Sequence, residues 1–230
     1  VRYNWKSKGA TGGWEALEFS DEEINSLISA TVALLKAERI EPGEYQFISA
    51  PGVSGVICHE SFGHGVETDM FLKERARAAD YIDKPVASPL VNIYDDPGVP
   101  GAFGSYFFDD EGCMAKTTQI VEKGLFRRGI TDFYSATALG IPRSANGRRQ
   151  DYTRKAYARM SNTFVGTGET SLEDMLAAET VLHLGLRAHG QRLYVCADAL
   201  SAHVNFSRLR SWLAVQVHNG RVFAAARAAL

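Results

Sequence analysis

The chain has 230 residues, of which 45% are hydrophobic and 23% charged, and its formal net charge is −2. These values exclude a disordered chain and argue against a dedicated nucleic-acid binder. No apolar run approaches the ~20 residues that span a bilayer, and the polar start around Arg2 and Lys6 does not resemble a signal peptide. Three cysteines form no disulfide framework, so we expect a cytoplasmic protein without nucleic-acid or membrane partners.

Charge is distributed unevenly along the chain. Residues 1–180 contain 19 Lys and Arg against 26 Asp and Glu, a net charge of −7. Residues 181–230 contain six Arg, no Lys and one acid, a net charge of +5. We therefore predict a folded segment over 1–180 and an atypical tail over 181–230, whose Ala- and Arg-rich composition is typical of GC-rich DNA read out of frame.

The first predicted element is a helix over 21–38. Ser20 and Glu23 form a capping box, and apolar residues follow at helical spacing from Ile24 to Leu35. A similar box at Ser171 predicts a helix to about residue 186. The middle of the chain is rich in turns and alternating residues. It predicts strands at 45–49, 91–94, 105–108 and 117–122, a turn at Pro51-Gly52 and a hairpin turn at Lys123-Gly124. The predicted class is α+β, with helices packed on a largely antiparallel sheet.

A histidine cluster is the clearest chemical motif. His59 and His64 enclose Glu60, which directly follows the first histidine. Neutral imidazoles bind zinc, and a neighbouring carboxylate can act as general base on the zinc-bound water. The histidines are five residues apart, which on a regular helix places them about 140° apart. A shared metal therefore requires a distortion such as a π-bulge, for which Gly63 and Gly65 provide flexibility. From the spacing alone, two unrelated histidines remain an alternative.

Further motifs follow the histidines in a consistent order. Glu67 and Asp69 come next and are candidate hydrogen-bond partners for ligand histidines. The whole segment His-Glu-Ser-Phe-Gly-His-Gly-Val-Glu-Thr-Asp resembles the signature of the TldD/PmbA family of zinc metallopeptidases, also called the modulator of DNA gyrase family. The resemblance runs from about residue 11 to 180. It includes the Asp/Gly-rich segment 91–112, Glu122-Lys-Gly-Leu, Asp132-Phe-Tyr-Ser-Ala and Arg159-Met-Ser-Asn-Thr-Phe.

The resemblance implies a cytoplasmic peptidase that hydrolyses short or unfolded peptides. His59 and His64 would be zinc ligands, and Glu60 would be the catalytic base. Peptide would bind partly by main-chain pairing to a sheet edge. The resemblance also implies a homodimer or a heterodimer with a related subunit.

Two departures from the family pattern leave alternatives open. The large N-terminal domain of the family is missing, and so is its third zinc ligand, a cysteine in a Gly-Cys-Gly block. Catalytic zinc normally has three protein ligands. We therefore expect a fragment that is incomplete at both ends. A catalytically inactive peptide-binding or partner subunit, or a truncated product without function, is the alternative to an active enzyme.

Other polar residues are expected to be structural. The neighbouring Cys58 points away from a His59 ligand position on a helix, and Cys113 and Cys196 match no ligand block. Acidic pairs at 95–96 and 109–111 are expected to cap their own turns rather than bind calcium. The basic residues within 143–154 are expected to form a solvated face or subunit contact, with a substrate anion site as the alternative. The histidines of residues 181–230 show no ligand spacing.

Overall fold

The computed structural model describes residues 3–37, 48–171 and 174–175. Within these ranges short helices pack on small antiparallel sheets, which confirms the predicted α+β class. The helices are α1 (Asp21–Lys36), α2 (Pro51–Phe62), α3 (Thr68–Leu72) and α4 (Phe133–Leu139), with 3₁₀ turns at Trp14–Leu17, His64–Val66 and Arg77–Tyr81. The strands are β1 (Ile93–Asp95), β2 (Thr118–Glu122), β3 (Leu125–Phe126), β4 (Gly147–Arg148), β5 (Tyr157–Ala158) and β6 (Thr163–Val165).

Four strands form the main sheet of the described residues, in the order β3-β2-β1-β6, with antiparallel neighbours throughout. The predicted hairpin turn joins β2 to β3, and both Lys123 and Gly124 have positive φ, as a two-residue hairpin requires. Strands β4 and β5 form a separate antiparallel pair. Helix α2 packs on β6, so the histidine-bearing helix lies against one of the two outer strands of the main sheet.

The capping box at the start of α1 is confirmed. The Ser20 hydroxyl accepts from the Glu23 backbone N–H at 3.2 Å, and the Glu23 carboxylate accepts from the Ser20 N–H at 3.0 Å. The helix ends at Lys36, two residues before the predicted end. Its apolar stripe stays largely exposed among the described residues, so α1 contributes little to the core described here.

The core lies between α2, the 3₁₀ turn at His64–Val66 and the main sheet. It excludes water from aliphatic, aromatic and sulfur side chains, which is the main stabilising contribution to such a fold. Its buried members are Cys58, Val66, Ile93, Ile120, Val121, Phe126, Ile130 and Met160.

Two local predictions were wrong. Residues 105–108 do not form a strand, because the Tyr106 N–H donates to Pro97 O at 3.0 Å and its hydroxyl to Ala145 O at 2.7 Å, which holds the segment in a loop. Only Phe108 forms an isolated bridge, with Met114. Pro51-Gly52 begins α2 rather than a turn, because proline at the first helical position loses no intrahelical hydrogen bond.

Some predictions fall on residues that the structure does not describe. The strand at 45–49 lies largely outside the described residues, as do most of the helix predicted from Ser171 and all of the tail over 181–230. Ser171 itself caps as predicted, because its hydroxyl accepts from the Asp174 N–H at 3.0 Å. Within the described ranges, no helix combines the length and apolar character needed to cross a membrane.

Candidate metal centre

Helix α2 ends between the two histidines. His59 and Glu60 lie in its last turn, the Gly63 N–H donates to His59 O at 3.0 Å, and the chain then turns into the 3₁₀ turn that begins at His64. The helix is therefore distorted at Gly63, as expected, but it ends there instead of forming the π-bulge that the spacing suggested as an example. We call residues 59–67 the histidine elbow. Its far end is fixed by Ile130, whose N–H donates to Val66 O at 3.1 Å.

Close packing accounts for glycine at the corner of the elbow. A Cβ atom at Gly63 would overlap the sulfur of Met160 and the carbonyl oxygen of His59, whereas one at Gly65 would meet nothing within 4 Å. The backbone of Gly63 therefore lies directly against Met160, whose segment is remote in sequence. This close contact leaves no room for a side chain at the corner of the elbow.

The elbow brings the two imidazoles together. The ring centroids of His59 and His64 are 4.8 Å apart, with an interplanar angle of 83°. Zn–N distances of about 2.0–2.1 Å, with about 1.1 Å from nitrogen to ring centroid, place two tetrahedral imidazole ligands about 5 Å apart between centroids. The centroid separation of the two rings therefore matches that of two histidines bound to one zinc ion. Among the described residues no group of three or more His, Cys, Asp or Glu side chains forms a complete set.

Glu60 lies beside this ring pair. It follows His59 in the last turn of α2 and is half-buried, as are both histidines. Its negative charge acts on His64 and helps to raise the pKa of that imidazole. A carboxylate close enough to influence a histidine of this pair is a candidate general base.

Glu67 is a hydrogen-bond partner of His64, as the sequence predicted. Nδ1 of His64 and Oε1 of Glu67 are 3.3 Å apart. This hydrogen bond is the main reason that the pKa of His64 is raised, with burial acting against it. Burial raises the pKa of the Glu67 carboxyl, while His64 and Arg159 favour its ionised form. Because its two oxygens each face one of these donors, we treat Glu67 as a carboxylate.

Asp69 has different partners from those predicted. Its carboxylate accepts from Lys73 Nζ at 2.8 Å and from Arg159 Nη1 at 3.2 Å. Sequence reasoning did not single out Arg159 as part of the site. The available signal was its place in the Arg-Met-Ser-Asn-Thr motif, together with the need of two buried acids for a cation.

Cys58, Asp96 and Asp109 have the structural roles that the sequence favoured. Asp95, Asp110 and Glu111 do not cap their own turns as predicted, because they accept from backbone N–H groups that are distant in sequence, those of Ser161, Arg149 and Phe133, at 3.0, 2.8 and 2.7 Å. Cys58 is buried in the core, where burial and, secondarily, the charge of Asp95 raise the pKa of its thiol to about 12. Asp96 accepts from the Gly98 N–H at 2.7 Å, and Asp109 accepts from the backbone N–H groups of residues 111 and 113 at 3.0 and 2.8 Å. These are turn-capping acids.

Within the basic segment, Arg149 and Arg154 are exposed, as expected, whereas Arg143 and Arg148 are half-buried. Arg143 pairs with Asp109 at 3.3 Å and Glu111 at 3.1 Å, and Nη1 of Arg148 donates to Met160 O. These side chains bind the protein's own turns, because their acidic and carbonyl partners lie far away in sequence but close in the fold. Cys196 and the four histidines of the tail lie outside the described residues.

A closely spaced histidine pair with an adjacent carboxylate, on an α+β scaffold, is the arrangement of a candidate metallopeptidase centre. Comparison with known proteins agrees with this class. Residues 42–210 match the family model described as the PmbA/TldA metallopeptidase C-terminal domain, and the chain belongs to this PmbA/TldD family. The matched range runs past residue 180, and the division there stays a prediction.

Individual relatives are also named as metalloproteases. The chain is 34% identical over 169 residues to Metalloprotease MJ0996 of Methanocaldococcus jannaschii, covering 72% of this chain and 37% of that protein. It is 33% identical over 156 residues to the Zinc metalloprotease TldD homolog of Saccharolobus solfataricus, covering 67% and 35%. The chain thus spans little more than a third of the length of these relatives.

Solved structures show the same fold. TM0727 of Thermotoga maritima superposes with a TM-score of 0.59 at 22% identity, over 69% of this chain and 36% of that chain. TldE of Thermococcus kodakarensis superposes with a TM-score of 0.51 at 20% identity, over 67% and 36%.

Proposed function

We propose that this chain carries the histidine half of a TldD-type zinc metallopeptidase site that hydrolyses short or unfolded peptides. The observation that carries the proposal is the 4.8 Å separation of the His59 and His64 rings beside Glu60. His59 and His64 would hold the zinc ion. The further ligand comes from residues outside the described ranges or from the rest of a longer protein.

The chain's own groups divide the chemistry between them. When bound, zinc polarises the scissile carbonyl and the attacking water. Glu60 accepts the proton of that water as general base and later donates it to the leaving amine. Glu67 accepts the Nδ1 hydrogen of His64, which leaves Nε2 as the ligand atom. Two half-buried histidines at the end of a helix also give the substrate access from solvent.

Strand β6 is the proposed binding edge for the peptide. It is one of the two outer strands of the main sheet among the described residues, and α2, which bears the histidines, packs on it. Main-chain pairing along such an edge recognises backbone rather than side chains, which suits substrates of varied sequence. Assembly as a homodimer or with a related subunit, and a cytoplasmic location, belong to the same proposal.

A non-catalytic partner subunit is the second candidate. It is favoured by the lack, among the residues that the structure describes, of a third ligand near the two histidines. Such a subunit would bind peptide through the same sheet edge without hydrolysing it. The two candidates differ in whether Glu60 matters for turnover.

Zinc analysis and a peptidase assay on the purified chain distinguish them. We expect about one zinc per chain, and we expect Glu60→Gln to keep the metal while lowering activity by about 10²–10⁴-fold, since only the base is removed. Glu18→Gln, an exposed carboxylate in a loop, is the matched control and should leave activity unchanged. A chain that holds less than about a tenth of an equivalent of zinc, with activity insensitive to Glu60→Gln, would contradict the enzyme and leave the partner subunit.

A further inference from the structure

Arg159 reaches the histidine elbow from a distant part of the chain. It follows β5, and its Nη1 atom donates to Glu67 Oε2 at 3.0 Å across a sequence separation of 92 residues. The same atom donates to Asp69 Oδ1 at 3.2 Å and to the Ala158 carbonyl. One guanidinium therefore joins both acids that follow the histidine motif.

Burial makes this ion pair matter. The side chains of Glu67 and Asp69 are only 3% and 5% exposed, whereas that of Arg159 is 36% exposed. Removing the cation from a buried ion pair is strongly destabilising, because it leaves the carboxylate buried without its partner. Lys73 supplies a second cation to Asp69. Among the described residues, Arg159 is the Lys or Arg that pairs with Glu67.

Arg159 is itself held in place. Its guanidinium lies over the ring of Tyr157, 5.4 Å from the centroid, and a stacked planar cation keeps a defined orientation. The next residue, Met160, packs against Gly63 at the corner of the elbow. Segment 157–160 therefore fixes the elbow by an ionic contact and an apolar contact.

The geometry points to Arg159 as a positioning residue for His64, acting through Glu67. By occupying Oε2 of Glu67, Arg159 orients Oε1 towards Nδ1 of His64. A carboxylate only accepts, so in the neutral imidazole this contact selects the tautomer with the hydrogen on Nδ1. The inference rests on the proposed function, since a defined imidazole tautomer has its use in metal binding.

The first test follows His64 in the metal-free protein. Nitrogen-15 NMR at mildly alkaline pH reports which ring nitrogen bears the hydrogen. We expect the Nδ1–H tautomer in the wild type, an intermediate mixture in Arg159→Lys and the loss of this preference in Arg159→Gln. Lys73→Gln is the matched control, because it removes a cation that pairs with Asp69, and should leave the tautomer unchanged. An unaltered tautomer in Arg159→Gln would overturn the inference.

The second test is a double-substitution cycle for zinc affinity, measured by chelator competition. Loss of an outer partner typically weakens metal binding by ~10–100-fold, and we expect this for Arg159→Gln and Glu67→Gln. If Arg159 acts through Glu67, then Arg159→Lys should weaken binding in the wild type but add nothing in the Glu67→Gln background. Equal effects in both backgrounds would show a merely structural role. A wild type that takes up no zinc would contradict the proposed function, while the NMR experiment would still decide the role of Arg159.

Discussion

Substituting Gly63 by alanine probes the corner of the histidine elbow. The added methyl group would overlap the sulfur of Met160 and the carbonyl oxygen of His59, and would stand 3.1 Å from Met160 Cγ. The methionine side chain can move, but His59 O is backbone in the last turn of α2 and already accepts from the Gly63 N–H at 3.0 Å. Relief therefore requires the helix end itself to shift.

The expected loss of stability follows from these two contacts. Overpacking in a core costs about 1–3 kcal/mol, and a strained or broken hydrogen bond to His59 O adds about 1 kcal/mol. Gly63→Ala should thus lower the free energy of unfolding by about 2–4 kcal/mol. For a chain of this size, that corresponds to a fall in Tm of roughly 5–15 °C. Zinc affinity should fall as well, because the same shift separates His59 from His64.

Urea denaturation with a thermal scan measures the effect, and the chain offers a matched control. Gly65→Ala, in the same elbow but with nothing within 4 Å of the new Cβ, should stay within about 0.5 kcal/mol of wild type. Combining Gly63→Ala with Met160→Ala should cost less than the sum of the single changes, since only the sulfur overlap is relieved. If Gly63→Ala is no more harmful than Gly65→Ala, the packing account of the elbow is wrong.

Two further predictions concern protonation and access. Because burial raises the pKa of the Cys58 thiol to about 12, iodoacetamide should label Cys113 much faster than Cys58 in the folded chain, and should label both alike in urea. Peptide mapping by mass spectrometry measures the two labelling rates. Rapid labelling of Cys58 in the folded chain would contradict its position in the core. The pKa of Glu23 is lowered from 4.5 to about 2 by its ion pair with Lys8, the hydrogen bond from the Ser20 N–H and its ion pair with Lys6. The ionised carboxylate therefore stabilises the start of α1 above pH 4.5, and this stabilisation is lost as the pH falls towards 2. Circular dichroism should show less acid loss of helix in Glu23→Gln than in wild type, and identical acid profiles would refute this reading.

Local signals in the sequence predicted the parts of the fold that depend on local contacts. The Ser20 capping box and the Lys123-Gly124 hairpin involve neighbours only, and the structure contains both. Loop 105–108 and the Arg143 ion pairs depend on partners far along the chain, which no alternating pattern reveals. Local prediction therefore worked where the partners were local.

The same difference between local and distant partners applies to the candidate site. His59, Glu60 and His64 were evident from residue type and from resemblance to the family. How the chain brings two histidines five residues apart together was not evident, because the corner at Gly63 packs against Met160, nearly a hundred residues away. Arg159 was missed for the same reason: its acidic partners meet it only in the folded chain.

X-ray absorption at the zinc edge of the metal-loaded chain tests the central claim, that His59 and His64 bind one ion together, most directly. If the two histidines share the ion, the spectrum will show two imidazole ligands per zinc, with nitrogen at about 2.0–2.1 Å. One imidazole contribution should then disappear in each of His59→Ala and His64→Ala. A spectrum with no imidazole contribution, or one unchanged by both substitutions, would contradict the claim.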